Sequence, residues 1–189
     1  MSWLVAAALM LVFCLAAGRS EAQTSQFKGW TAISRELSIR VAPAGKPLDL
    51  SDFLPSEDMV ELLGTWSAFG SEHSFRNGLP NALNLMIWHV TLSGFAKAVG
   101  DTCHTPRIEF HPRFISTLQK LCTWPSAGAK DERVLLDFWM GVMGHNASRQ
   151  EFEAWRDFIL REYKNNRAEE TIAAMTLGIT MNPHFLLHR

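Results

Sequence analysis

Met140, Met143 and His145 stand together in the stretch Met-Gly-Val-Met-Gly-His. Two thioethers one helical turn apart, with an imidazole just beyond, make a soft donor set of the kind that suits copper(I). His184 and His188 are four residues apart, so a helix would turn both imidazoles to one face as a two-ligand metal pair. Methionines at such spacing also fill gaps in cores, and no H-E-x-x-H signature completes the histidine pair. Copper is therefore the one cofactor the residue types suggest.

His89 is the next residue of interest. Ser93 and Lys97 follow it by one and two turns, giving a narrow polar stripe along an otherwise apolar segment. Such a stripe can frame a pocket with a general base, or simply a buried histidine with a hydrogen-bond partner. Cys103-His104 lacks the first cysteine of a C-x-x-C-H haem site, because Gly100 occupies that position. His104 and His111 flank a proline-bearing turn and would join a ligand set only if the fold brought them together. Ser71-Glu72-His73-Ser74 holds acid–base side chains, but neighbours in a loop rarely converge on one atom. The chain has no G-x-S-x-G, P-loop or G-x-G-x-x-G motif, and no catalytic residue is assigned. Asn146-Ala-Ser148 fits a glycosylation sequon, which matters only in a eukaryotic secretory pathway.

The elements that must position these residues begin after residue 22. Trp3 to Ala17 is an apolar run, and Ser20-Glu21-Ala22 is a small-x-small cleavage signal, so residues 1–22 read as a signal peptide. The run is short for a membrane span, although a retained anchor is the competing reading. About 167 of the 189 residues then remain, enough for one domain. Lys and Arg number 18 and Asp and Glu 19, without a basic run, which argues against nucleic acid or an anionic membrane as partner. With Cys14 lost to the signal, Cys103 and Cys122 form an even pair, most simply a disulfide in an oxidising compartment.

Residues 23–54 read as an irregular, extended N-terminal segment. Leu37, Ile39 and Val41 alternate with Ser38 and Arg40, the period of a short strand. Residues 55–189 read as a helical domain. The segment 81–100, NALNLMIWHVTLSGFAKAVG, is apolar on nearly all sides and is expected to be a buried central helix. Around it are predicted a helix over 56–69 and one from Pro112 to Thr123. Another, opened by Asp131, ends at Gly144, and a further one is opened by the capping box Ser148-x-x-Glu151. A last helix spans roughly Ala168 to Met181, and Asn182-Pro183 caps a short final turn. The expected fold is all-α, an irregular bundle of five to six helices stitched by Cys103–Cys122.

Phe138-Trp139, Gly144, Glu151, Phe152, Trp155 and the closing Asn-Pro-His-Phe-Leu-Leu-His-Arg carry a resemblance. Over about its last third, the chain resembles helical domains of unknown function in secreted planctomycete and proteobacterial proteins, which often accompany c-type cytochrome modules. The resemblance implies a bacterial envelope protein with a redox neighbour and carries over no catalytic residue. The expected function is a secreted or periplasmic helical module that binds another envelope protein, a cytochrome or redox protein among the candidates. The alternatives are a periplasmic copper-binding protein and an enzyme with a pocket at His89.

Overall fold

The computed structural model describes residues 28, 30–53, 82–107, 109–124 and 132–186. The predicted helix over 56–69, the loop with Ser71 to Ser74, the signal segment, Asp131 and His188 lie outside the described residues. Seven α-helices are described: α1 (Trp30–Val41), α2 (Ala82–Asp101), α3 (Pro112–Thr123), α4 (Glu132–Met143), α5 (Arg149–Glu162), α6 (Ala168–Thr180) and α7 (Pro183–Leu186). A 3-10 turn, Leu50–Phe53, lies between α1 and α2, and no strand occurs among the described residues. The protein is all-α, as its periodicity predicts.

The N-terminal segment departs from its expected extended form, because Leu37 and Val41 belong to a helical stripe. Ile33, Leu37 and Val41 recur every fourth residue and all three are fully buried. Ile39, whose alternation with them suggested a strand, is 73% exposed on the opposite face. Glu36 and Arg40 add a favourable i, i+4 ion pair of 3.1 Å. The chain leaving α1 then folds back along it: the Ser34 and Ser38 hydroxyls donate to the Leu48 carbonyl at 3.1 and 3.0 Å.

Helix α2 is central, but not buried on every side. Its C-terminal half is enclosed, with Trp88, Leu92, Phe95, Ala96, Ala98 and Val99 in the core. Leu85 and Met86 near its start are exposed, and Lys97 also faces water. His89 is exposed as well, whereas Thr91 is buried, and no described helix is long and apolar enough to cross a membrane.

The most extensive seam among the described residues runs between α2 and α6. A Cβ on Gly100 would strike the Glu169 carbonyl oxygen, so only glycine lets the two backbones approach this closely. On the α6 side Ile172, Met175 and Ile179 are fully buried. Thr176 and Thr180 are buried as well, their hydroxyls donating to Ile172 and Thr176 carbonyls one turn back. The other flank of α2 meets a run of rings: Phe53, Phe95, Phe110, Phe114 and Phe138 contact in sequence with centroids 5.6, 6.1, 5.6 and 5.9 Å apart. This run ties the 3-10 turn, α2, α3 and α4 into one core.

Local signals set the helix ends. His111 caps α3, its Nδ1 accepting from the Arg113 N–H at 3.1 Å, with Pro112 as the first helical residue. Ser148 and Glu151 form the predicted capping box of α5, and Asn182 Oδ1 accepts from the His184 N–H at the start of α7. The pair Cys103–Cys122 is a disulfide with Cα atoms 5.7 Å apart, joining the end of α2 to the last turn of α3.

Candidate functional site

The end of α4 gathers more chemistry-bearing groups than any other described region. The helix stops at Gly144, whose φ of +74° is left-handed and whose N–H donates to the Met140 carbonyl at 2.9 Å. A turn of this kind folds the next residue back onto the helix it has just left. His145 accordingly lies edge-to-face against Trp139, with centroids 6.3 Å apart and planes at 75°. Arg40 seals the same end from outside: its Nη1 donates to the Val142 carbonyl at 3.0 Å, and its guanidinium fills the space a Gly144 side chain would need.

The His145 ring is oriented by its own loop. Its Nδ1 lies 2.9 Å from the Asn146 carbonyl oxygen, and a carbonyl only accepts, so Nδ1 carries a proton. The other ring nitrogen is Nε2. That atom is buried and has no hydrogen-bond partner in the protein, and the same holds for the indole Nε1 of Trp139. Buried polar atoms are normally paired, so each of these atoms is of a kind that water commonly satisfies.

Glu151 sits just across the turn. It accepts from the Ser148 N–H at 2.9 Å. Burial works to raise its carboxyl, but the Ser148 hydrogen bonds, with charge from His184 and His145, prevail and hold it below the ordinary carboxylate range. Two predicted residues, His145 and His184, act on the Glu151 carboxylate, while Met143 is buried one turn beyond Trp139 on α4. Met140 stands apart, 39% exposed on the outer face, so Met140 and Met143 do not share one environment. Among the described residues, no three His, Cys, Asp or Glu side chains are grouped to hold a metal ion.

His89 is exposed on the outer side of α2. Ser93 spends its hydroxyl on the His89 carbonyl at 2.6 Å. His89 and Lys97 of the polar stripe face solvent, and Ser93 between them is half-buried. His104 and His111 have separate tasks: His111 caps α3, while His104 Nε2 lies 3.1 Å from Glu169 at the start of α6.

Sequence reasoning missed Trp139 as a partner of His145. The signal was present, since the residue after a left-handed glycine commonly contacts the helix three or four positions before its cap. It missed the shared role of Glu151 because the capping box already explained that residue locally.

The outer face of α4 has a different character. Leu136 and Met140, one turn apart, are 41% and 39% exposed. Beside them a cleft of about 320 Å³ opens between α3 and α4, lined by Thr117, Lys120, Arg133, Val134 and Asp137. An apolar ridge beside a charged border is therefore presented on one helix.

Compared with family models, with curated proteins and with solved structures, the chain finds no match.

Proposed function

We propose that the protein is an exported helical module that binds another protein of the same compartment, without chemistry of its own. The observation that carries this reading is the outer face of α4, where Leu136 and Met140 form an exposed ridge bordered by Lys120, Arg133 and Asp137. Protein interfaces are built in this way, with an apolar centre and a polar rim. The Cys103–Cys122 bridge supports an oxidising compartment. The resemblance of the last third of the chain favours an envelope redox protein as the partner.

The test uses the full chain, tagged and expressed in its own cell. The expected result is one partner recovered in near-stoichiometric amount from the envelope or secreted fraction. The double variant Leu136→Lys/Met140→Lys should lose that partner at least tenfold while keeping its helical circular dichroism. Recovery of the chain as a solitary monomer, or a partner retained by the double variant, would overturn the reading.

A further inference from the structure

The cleft beside the α4 ridge constrains the chemistry of whatever protein meets that ridge. We propose that the partner presents an acidic segment, with an Asp or Glu carboxylate on Lys120 of α3 and an apolar side chain beside it on Leu136 and Met140. This inference rests on the reading of the outer face of α4 as an interface. Its geometry begins with the way α3 and α4 pair. Phe114 of α3 stacks on Phe138 with centroids 5.9 Å apart, and its ring would lie 3.3 Å from a Cβ on Gly141. Thr117 and Lys120, later in α3, line one cleft with Arg133, Val134 and Asp137, earlier in α4. The two helices therefore run antiparallel, with the cleft toward the end of α3 and the start of α4.

The charges on the two walls differ. On α4, Arg133, Leu136, Asp137 and Met140 stand at i, i+3, i+4 and i+7, so charge and ridge share one exposed face. Arg133 and Asp137 offset each other there, and the further acid Glu132 is paired with Arg156 of α5 at 3.3 Å. The α3 wall is cationic throughout: the helix carries Arg113 and Lys120, one face and two turns apart, and no acidic residue. The excess charge beside the ridge is therefore positive and belongs to α3. At an interface with an apolar centre, rim charges fix register and steer encounter, and a lysine on the rim is matched by a carboxylate. An anionic bilayer is instead recruited by clusters of about four to eight basic residues, more than α3 offers.

The probe is a zero-length carbodiimide, which joins an amine to a carboxylate in contact with it. It is applied to envelope extract holding the full chain, alongside a photoreactive amino acid placed at Met140. The expected result is one protein reached by both reactions, with Lys120 joined to an Asp or Glu of that protein in the peptide map. Lys120 is exposed, so its variants keep the fold. Lys120→Glu should lower the yield of the Met140 adduct about fivefold to tenfold at low salt, and Lys120→Arg should retain the wild-type yield. Raising the salt to about 0.5 M should lower the wild-type yield and leave that of Lys120→Glu unchanged. A Met140 adduct indifferent to both Lys120→Glu and salt would overturn the carboxylate and leave the α4 interface standing. Absence of any Met140 adduct would overturn both. Lys120-dependent binding to phosphatidylglycerol vesicles, without a carbodiimide product, would assign the cleft to a bilayer and overturn the proposal as well.

Discussion

Glu151 shows how one side chain serves both folding and its surroundings. It completes the α5 cap through Ser148 and receives charge from His145 and His184, and the balance lowers its carboxyl against the pull of burial. The sign of the linkage follows. A carboxyl whose folded pKa lies below its unfolded value contributes stability that is complete above the ordinary carboxyl range and is lost as pH falls through the folded value. Glu151→Gln should therefore be less stable than wild type at neutral pH. The gap should close as the pH drops below about 4.5, measured by urea denaturation across pH. A gap that persists at low pH would assign the effect to packing instead. The capping box was legible because Ser148 and Glu151 are three residues apart in sequence. The seal that Arg40 places on the end of α4 was not, since Arg40 and Val142 are 102 residues apart and nothing local announces their meeting.

At the scale of elements, the helices from α2 to α6 were readable because each carries an apolar stripe at helical spacing and a recognisable stop. The α1 segment was misread because Leu37, Ile39 and Val41 satisfy a period of two by coincidence, while the helical stripe includes Ile33 one turn earlier. The full apolar circumference of 81–100 likewise suggested complete burial. In the structure the N-terminal part of α2 shows Leu85 and Met86 to solvent, and the close packing is concentrated against α6. That seam yields a contrast between two helical glycines. Replacing a mid-helix glycine by alanine gains about 1 kcal/mol of helix propensity. At Gly141 the new methyl would meet the Phe114 ring at 3.3 Å, so Gly141→Ala should stay within about 1 kcal/mol of wild type by thermal unfolding. At Gly100 it would meet a backbone carbonyl that cannot rotate away, and Gly100→Ala should cost about 1–3 kcal/mol despite the same gain. Equal melting temperatures for the two variants would contradict the close α2–α6 approach.

At the scale of the whole molecule, two ties hold distant parts of the chain together. Lys28 donates its backbone N–H to the Leu186 carbonyl at 2.7 Å, and its ammonium pairs with Glu36 at 2.8 Å and lies 5.4 Å from the Phe185 ring centroid. This joins the start of the described chain to α7. The Cys103–Cys122 bridge spans 19 residues, and on the chain-entropy model its removal in Cys103→Ser/Cys122→Ser should cost roughly 3 kcal/mol, read as a lower urea midpoint. The bridge was foreseeable from the expectation that Cys14 belongs to a signal segment, which leaves two cysteines to pair. Function was less legible. His89 drew notice by its position in an apolar segment, yet its side of the helix faces water. On the α4 outer face Leu136 drew none and Met140 drew notice only as a ligand, since two exposed apolar residues become informative as a surface only when the fold places them beside a charged cleft.

The central claim is that this face of α4 meets a partner, and photo-crosslinking tests it most directly. A photoreactive amino acid at Met140, in the full chain in its own cell, should give a single adduct of higher mass. The same group at exposed Leu160 on α5 should give none. Equal labelling from both positions, or no adduct from either, would contradict the account.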